Sequence, residues 1–476
     1  MSVTQPSINV PTPRSEALTA PLLFVLAVVI VAGLLFGYDQ GVISGALSGI
    51  KQQFSLSALL TEVVTSWVTL GALIGSLAGG YLADRYGRRR AVLIAGLLFI
   101  LGALLQALAP YVSLLVLGRL VVGFGVGVAA VAAPLYGSEL APAAHRGRFV
   151  SAYQLAITIG IFLAYLVNSG LAASDSWRWM LGVSVVPGLL LVLVGAAGVE
   201  SPRWLVKAGR RDEARAVLAK VAPEGDAGAR LAAIEHTLDE EAGSASWREV
   251  FDRRCRKPLV IALGLAIFQQ ITGINAIIYY ANQIFASAGF STPEAQTTAT
   301  TWAVGGVNVA ATFIAIAFID RLGRRPLLLA GLVGMGLALL VVGFAFLSID
   351  GQAAGTPSAG PTAAGIITLI ALVVFIVSFA FSLGPVVWTV INEVFPGRVR
   401  GRAVAVATAV NWGAAFLVSQ FFLTLIEAIG KSETFWLFAF FCLAGWIWIY
   451  RTVPETKGHT LEEIERSWTG QASGTA

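Results

Sequence analysis

The chain of 476 residues is 57% hydrophobic and only 12% charged, with a formal net charge of +5. Soluble domains carry about 25% charged residues, so this composition excludes an ordinary water-soluble protein and indicates a surface that mostly faces a lipid bilayer. The positive charge does not predict nucleic-acid binding, because the basic residues cluster beside apolar segments. The two cysteines, Cys255 and Cys442, give no metal motif and no disulfide framework, and we expect no metal and no cofactor.

Apolar segments of about 20 residues, the length that crosses a bilayer, recur along the whole chain. They predict an all-α membrane protein with twelve transmembrane helices, at 22–48, 61–83, 91–109, 113–136, 150–172, 179–198, 258–287, 298–319, 326–348, 364–391, 402–427 and 434–451.

Polar stretches divide these spans into larger units. Residues 1–20 are Pro-rich and lack the charged start and cleavage site of a signal peptide, so we expect a disordered cytoplasmic tail. Residues 21–199 and 258–451 hold six spans each. The linker 200–257 has helix-like patterns and is expected to form cytoplasmic helices, and residues 452–476 would form a second cytoplasmic tail.

Basic residues mark alternate connections between the spans. The other connections contain little that is basic beyond Lys51, Arg178 and Lys431. Because basic connections stay on the cytoplasmic side, both termini should be cytoplasmic and the protein should lie in the cell membrane. The arginines that follow the second, fourth, eighth and tenth spans are Arg85, Arg88, Arg89, Arg90, Arg146, Arg148, Arg321, Arg324, Arg325, Arg398, Arg400 and Arg402.

Charged motifs recur in the two sets of six spans. Three matched pairs in the same order predict two related six-helix halves, with a substrate cavity between them near the membrane midplane. The pairs are Asp84-Arg85-Tyr86-Gly87-Arg88-Arg89 with Asp320-Arg321-Leu322-Gly323-Arg324-Arg325, Glu139-Leu140-Ala141-Pro142 with Glu393-Val394-Phe395-Pro396, and, more loosely, Glu200-Ser201-Pro202 with Glu455-Thr456-Lys457.

Two isolated charges of opposite sign lie deep inside apolar spans. Asp39 lies in the first predicted span and Arg119 in the fourth. A charged side chain in hydrocarbon costs about 2.5–3.5 kcal/mol on insertion scales and by default marks a transport pathway or a proton relay. We therefore predict a membrane-embedded Asp39–Arg119 pair in a proton-driven transporter. A static structural ion pair is the alternative interpretation.

Side-chain amides are a second set of polar groups inside apolar spans. Amides both donate and accept hydrogen bonds without carrying charge, which suits a polyhydroxylated ligand. The alternative is that they bridge helices, at about 0.6 kcal/mol each. The amides are Gln154, Gln269, Gln270, Asn275, Asn308 and Asn411.

Five motifs in order make the chain resemble the sugar porter family of the major facilitator superfamily along nearly its whole length. Val199 departs from the pattern, because the family usually has a proline there. The motifs are Gly80-x-x-x-Asp84-Arg85-x-Gly87-Arg88-Arg89, Glu200-Ser201-Pro202-Arg203-Trp204-Leu205, Gln269-Gln270-Ile271-Thr272-Gly273-Ile274-Asn275, Gly384-Pro385-Val386-Val387-Trp388 and Pro454-Glu455-Thr456-Lys457-Gly458.

The resemblance implies a major facilitator fold and a monosaccharide site built from amides and tryptophans. An indole ring offers a flat apolar surface and one hydrogen-bond donor to a sugar. Asn308 matches less directly, because aligning it with the family requires a slightly longer preceding loop than some relatives have. For Trp412, simple packing in the core is the alternative to sugar contact. The residues at sugar-contacting positions are Gln154, Gln269, Gln270, Asn275, Asn308, Trp388, Asn411 and Trp412.

The resemblance also bears on coupling. Asp39 matches the acid of proton symporters, where uniporters have a neutral amide, and Ala380 lies where facilitative animal glucose carriers have an acid. Both positions favour a proton–monosaccharide symporter, which would work by alternating access. We expect it to be monomeric. A hexose such as D-glucose is favoured by Asn411 in place of a longer glutamine, and a pentose stays open.

Two other functions are compatible with this fold, and an enzyme is a further class. A facilitative uniporter is the main alternative, and a sugar sensor is disfavoured by the short C-terminal tail. An enzyme is not expected, because the three histidines, His145, His236 and His459, all lie in polar loops.

The charged motifs between spans predict a cytoplasmic gate. Acids paired with arginines can form networks between helices, and topology signalling alone needs no acids. We expect these networks to hold an outward-facing state and to part when the cavity opens inward. The predicted gate residues are Asp84, Arg85, Arg88, Arg89, Glu139, Arg146, Glu200, Asp320, Arg324, Arg325, Glu393, Arg400 and Glu455.

Overall fold

The computed structural model describes residues 19–142, 145–174, 176–221, 223, 226–242, 247–352, 362–395 and 397–457. The predicted tails, 1–20 and 452–476, therefore lie almost wholly outside the described residues. The described residues form helices and no strand.

The helices are numbered in chain order. Short 3₁₀ turns at Ala172–Ser174 and Arg253–Cys255 and a π-helical segment at Thr300–Gly306 accompany them. They are α1 (Ala20–Phe54), α2 (Ala58–Tyr86), α3 (Arg88–Ala107), α4 (Val112–Leu140), α5 (Arg146–Leu171), α6 (Trp177–Gly182), α7 (Val185–Ala197), α8 (Pro202–Lys207), α9 (Arg211–Val221), α10 (Ala227–Ala242), α11 (Trp247–Val250), α12 (Arg256–Ile271), α13 (Ile274–Tyr279), α14 (Ala281–Ser287), α15 (Pro293–Ala299), α16 (Val307–Leu322), α17 (Arg324–Gln352), α18 (Ala363–Phe381), α19 (Leu383–Glu393), α20 (Gly397–Gln420), α21 (Phe422–Ile429) and α22 (Lys431–Thr452).

Twelve helical stretches in the described chain are long and apolar enough to cross a membrane, which confirms the predicted number of spans. Several run beyond the predicted limits, because polar residues continue the helix after the apolar stretch has ended. The spans are Ala20–Phe54, Ala58–Tyr86, Arg88–Ala107, Val112–Leu140, Gly147–Ser174, Trp177–Ala197, Arg256–Tyr279, Pro293–Phe318, Arg324–Gly351, Ala363–Glu393, Val399–Gln420 and Lys431–Thr452.

Three spans of the second half, predicted as continuous, are broken. The seventh is interrupted between α12 and α13 at Gly273, whose φ of 93° is open to glycine at little cost. The tenth breaks at Ser382, three residues before Pro385, which has no N–H to donate to the preceding turn. The eleventh ends at Gln420, and α21 resumes after Phe421.

Close helix contacts in the first half depend on glycine. A Cβ on Gly37 of α1 would lie 1.9 Å from the Ile157 carbonyl oxygen of α5. A Cβ on Gly123 of α4 would lie 2.0 Å from the Val68 carbonyl oxygen of α2. These helices approach backbone to backbone, as small residues allow in membranes. The first half is therefore tightly packed around α1, α2, α4 and α5.

The bundle has two distinct ends. We call the end that carries Arg88 and Arg324, at the starts of α3 and α17, the arginine-rich end, and the other one the opposite end. The linker helices α8–α11 join the halves at the arginine-rich end, between the sixth and seventh spans. Trp204 Nε1 of α8 donates to the Asp84 carbonyl oxygen at 2.9 Å, which ties the linker to the first half.

Candidate substrate and coupling site

The two intramembrane charges form a direct ion pair. Arg119 Nη1 donates to Asp39 Oδ1 at 2.9 Å. The other two guanidinium nitrogens donate to backbone carbonyl oxygens of α2, Nε to Val64 at 3.1 Å and Nη2 to Thr65 at 3.3 Å. Arg119 is 0% exposed and Asp39 is 5% exposed. Every guanidinium nitrogen thus has a partner, as a buried cation requires.

The ion pair lies beside aromatic and amide contacts between the halves. Gln40, next to Asp39, is within hydrogen-bonding reach of the Tyr279 hydroxyl of α13. The ring of Phe36, one turn earlier on α1, lies 5.4 Å from the ring of Trp412 on α20. Because these contacts cross from one half to the other, a change at the ion pair is positioned to reach the second half.

Four of the predicted amides form one buried hydrogen-bonded network in the second half. Asn411 Nδ2 donates to Gln269 Oε1 at 2.7 Å, and Asn275 Nδ2 donates to Gln270 Oε1 at 2.8 Å. Gln270 Nε2 donates to Asn411 Oδ1 at 3.2 Å. The network is anchored at the broken tenth span, because Gln269 Nε2 donates to the Leu383 carbonyl oxygen at 2.7 Å.

Two broken spans explain why these amides meet. The turn at Gly273 allows α13 to start on a new axis, which brings Asn275 back to Gln270, five positions earlier. Leu383, whose carbonyl oxygen accepts from Gln269, is the first residue of α19 after the break at Ser382. Each amide is 4–7% exposed. The arrangement offers paired donors and acceptors that a ligand with several hydroxyls could exchange for its own hydrogen bonds.

The other four predicted contact residues lie on four different helices. Trp388 of α19 is partly buried and packs against the apolar core, and Trp412 is buried at 7% exposure. Asn308 of α16 is buried, and among the described residues no hydrogen bond joins its side chain to the four amides. Gln154 is partly buried on α5, in the first half.

Some residues near the site were missed by the sequence interpretation. Phe36, Gln40 and Tyr279 lie in segments already noted for Asp39 and the Gln-Gln motif, but single aromatic and amide residues there carry no distinctive spacing. Tyr153, next to Gln154, has a buried hydroxyl without a hydrogen-bond partner in the described structure. A buried unpaired hydroxyl is a recognisable signal only once the fold is known.

The charged motif of the first half forms a compact network at the arginine-rich end. Arg88 makes a two-pronged contact with Glu139, at 2.9 Å from both Nε and Nη2, and donates from Nη1 to Asp84 at 3.0 Å. Glu200 Oε1 accepts from the backbone N–H groups of Arg88 at 2.9 Å and Arg89 at 3.1 Å, at the start of α3. The network connects the second, third and fourth transmembrane helices with the first residues of the linker.

The second half repeats this arrangement. Arg324 Nη2 donates to Glu393 Oε1 at 3.2 Å. Glu455 accepts from the backbone N–H groups of Arg324 at 3.0 Å and Arg325 at 3.1 Å, at the start of α17. Glu393 also accepts from the Thr456 hydroxyl at 2.6 Å, as Glu139 accepts from Ser201.

Some predicted gate residues take other positions. Arg85 is exposed, because it lies on the outward face of the last turn of α2. Arg400 donates from Nε and Nη2 to the Phe395 carbonyl oxygen, at 3.2 and 3.1 Å, because that carbonyl faces it across the short turn before α20. The side chains of Arg146 and Asp320 lie outside the described residues, and so do Pro396 and Gly458 of the motifs.

Hydrogen bonds close the two halves together at the opposite end. Asn282 N donates to Ser44 Oγ and Thr301 Oγ1 donates to the Tyr165 carbonyl oxygen, both at 3.0 Å. The Tyr165 hydroxyl donates to the Ile278 carbonyl oxygen at 2.9 Å. The arginine networks, by contrast, run within one half and are formed while the opposite end is closed. That these networks part when the cavity opens inward stays a prediction.

Twelve spans in two six-helix halves around buried polar groups define a membrane transporter of the major facilitator fold. Residues 25–468 match the family described as "Sugar (and other) transporter". The chain therefore belongs to the sugar porter family of the major facilitator superfamily.

Curated relatives and solved structures are similar over nearly the whole chain. The arabinose-proton symporter of Bacillus subtilis (strain 168) is 36% identical, over 98% of both chains. The galactose-proton symporter of Escherichia coli (strain K12) is 38% identical, over 94% of both. The inward open conformation of the xylose transporter XylE from E. coli superposes with a TM-score of 0.80 and 32% identity, over 94% of this chain and 100% of that chain.

Proposed function

We propose that the chain is a proton-coupled monosaccharide symporter that works by alternating access, with a hexose such as D-glucose as its substrate and a pentose as the second candidate. The observation that carries the proposal is the buried Asp39–Arg119 pair, 2.9 Å apart, beside contacts that cross to the half holding the four-amide network. Two similar proteins, an arabinose-proton symporter and a galactose-proton symporter, support it.

Each part of the site has a role in this proposal. The amides and the tryptophans Trp388 and Trp412 bind the sugar, the amides through its hydroxyls and the indoles through its apolar ring face. Asp39 takes up and releases the coupling proton, and Arg119 is freed or held accordingly. The charge networks of the arginine-rich end stabilise each half as a rigid unit.

The proposal also fixes an orientation. Because basic connections favour the cytoplasm, the arginine-rich end, the linker 200–257 and both termini are cytoplasmic, and residues 21–199 and 258–451 are the two moving halves. The hydrogen bonds at the opposite end then correspond to an inward-facing state, which agrees with the similarity to inward open XylE. The working unit in the membrane is a monomer.

Uptake into proteoliposomes tests the function. Purified protein is reconstituted and offered labelled D-glucose, D-galactose, D-xylose and L-arabinose, with and without a pH gradient that is acidic outside. We expect a hexose to accumulate above its external concentration, and a protonophore to abolish the accumulation. Equilibration that ignores the protonophore would instead identify a facilitative uniporter, and accumulation of a pentose alone would overturn the hexose assignment. Liposomes without protein are the control.

A further inference from the structure

A second carboxylate is buried between the two halves, at the opposite end of the bundle. Glu62, in the second turn of α2, is 0% exposed. Both of its oxygens accept hydrogen bonds from Thr424, Oε1 from the backbone N–H at 2.6 Å and Oε2 from the hydroxyl at 2.7 Å. Within the part of the chain that the structure describes, no basic side chain forms an ion pair with it. A buried charge without a counter-ion is costly and points to a role in function.

The contact depends on the break in the eleventh span. Because α21 begins at Phe422, the N–H of Thr424 belongs to the first turn of a helix and has no partner inside it. A carboxylate is well suited to that place, since the start of a helix carries partial positive charge. Glu62 of the first half therefore caps a helix of the second half.

The same stretch of α2 also holds the coupling pair. Arg119 donates to the carbonyl oxygens of Val64 and Thr65, two and three residues after Glu62. Ser66 Oγ then donates across the halves to Gln420 Oε1 at 2.7 Å. Little more than one turn of one helix thus contacts the coupling arginine on one side and the second half on another.

We propose that Glu62 is a positioning residue that links the Asp39–Arg119 pair to closure of the opposite end. The inference rests on the proposed symport function. A change in how Arg119 is held at Asp39 moves the carbonyl groups that it contacts on α2, and with them Glu62. Separation of Glu62 from Thr424 admits water to the carboxylate and opens the cavity toward that end.

Cysteine labelling measures how often this end opens. Ser419 of α20 is 0% exposed and, among the residues that the structure describes, nothing forms a hydrogen bond with its hydroxyl, so Ser419→Cys is a mild reporter substitution. The background carries Cys255→Ala and Cys442→Ala, which removes the two native cysteines. A membrane-impermeant maleimide is applied to the opposite end of the reconstituted transporter, and the rate of labelling is followed.

Two variants weaken the contact in different ways. Glu62→Gln keeps the shape of the side chain and removes its charge, and Thr424→Val removes the hydroxyl donor. We expect each to raise the labelling rate at least about fivefold, the effect of weakening one charge-assisted hydrogen bond. The double variant should exceed the larger single effect by little, because both changes act on one contact.

Matched controls separate the contact from general damage. Glu427→Gln removes an exposed charge from the same helix α21. Thr434→Val removes a buried hydroxyl that bonds only within its own helix, to the Gly430 carbonyl oxygen at 2.7 Å. Both should be labelled at the unchanged rate. In addition, Glu62→Gln should lower the sugar gradient reached under a pH gradient while exchange of sugar across the membrane continues, which a purely structural role would not produce.

The outcomes keep the two proposals apart. Unchanged labelling in both Glu62→Gln and Thr424→Val, with normal sugar accumulation by the unaltered chain, would overturn the role of Glu62 and leave symport in place. Failure of the unaltered chain to accumulate any sugar would overturn symport, and the labelling rates would still decide whether Glu62 and Thr424 close the opposite end. If Glu62→Gln does not fold, Thr424→Val carries the test alone.

Discussion

Arg119 is held by one carboxylate and two backbone carbonyl oxygens in a place without exposure to solvent. The guanidinium is always charged, so protonation of Asp39 leaves a cation with carbonyl partners only. Such a cation is unfavourable in a low-dielectric interior. At the scale of single residues, this imbalance is what makes the pair suited to drive a rearrangement rather than only to fasten two helices.

Replacing Asp39 by asparagine tests that argument. Asparagine retains an oxygen for Arg119 Nη1 but carries no charge and takes up no proton. We expect Asp39→Asn to bind sugar and to exchange it across the membrane, and to lose accumulation under a pH gradient entirely. Uptake and counterflow in proteoliposomes measure both. Asp350→Asn, at an exposed ion pair with Lys431, should behave as the unaltered chain, and accumulation by Asp39→Asn would contradict the assignment.

Removing one amide tests the sugar site. Gln270→Ala removes the hydrogen-bond partners of Asn275 Nδ2 and of Asn411 Oδ1, and a buried unpaired polar group costs about 1–3 kcal/mol. We expect sugar affinity, measured by calorimetric titration, to fall about tenfold or more. Gln106→Ala removes another buried amide, bonded to the Gly118 carbonyl oxygen, and should leave the affinity unchanged. Equal sugar affinity in both variants would contradict the assignment of the sugar site to the amide network.

At the scale of elements, the starts of α3 and α17 are capped by equivalent acids in unequal surroundings. Glu200 accepts all three of its backbone hydrogen bonds on Oε1, whereas Glu455 uses both oxygens. Burial raises the pKa of Glu200 above its usual range, although these hydrogen bonds act against it. Burial acts in the same direction at Glu455, but four backbone N–H groups outweigh it and lower the pKa of that carboxyl.

These pKa directions predict opposite effects of removing each charge. Because its pKa is raised, Glu200 stabilises the folded state at pH values below its usual pKa. This stabilisation is lost as the pH rises through the raised pKa. Glu200→Gln should therefore leave the thermal unfolding midpoint at pH 7.5 unchanged or higher. Glu455 contributes stability above its usual pKa that is lost as the pH falls through the lowered value. Glu455→Gln should therefore lower the midpoint at pH 7.5, and the deficit should shrink on acidification. Equal midpoints for both variants would contradict this account.

The spans could be predicted because each depends on a local property, a run of apolar residues long enough to cross the bilayer. The break at Phe421 could not, since it depends on how neighbouring helices satisfy the exposed backbone groups, whereas Pro385 is a local signal for the break at Ser382. The same limit applies to residues. Glu139 could be assigned from its repeat at Glu393, but Glu62 lies at the start of a span, where an acid indicates only a boundary.

At the scale of the whole molecule, the five spans between the first connection and the linker place these two segments at different ends. Lys207 in the linker and Gln52 in the last turn of α1, just before the first connection, are both exposed. In a background without native cysteines, we expect an impermeant maleimide on intact cells to label Gln52→Cys at once and Lys207→Cys only after permeabilisation. The reverse pattern would invert the proposed orientation, and a cysteine-free chain controls for background labelling.

Three spans of the second half are broken. In the first half the sixth span is interrupted between α6 and α7, whereas α1, α2 and α4 are continuous helices packed through glycine. On the proposed function, energy coupling by Asp39 and Arg119 is carried by these continuous helices, and most recognition of the sugar is carried by the broken spans of the second half. The two properties can then diverge separately during evolution. Substitutions around Gln270 and Asn411 could change which sugar is transported while coupling to the proton through Asp39 and Arg119 is retained.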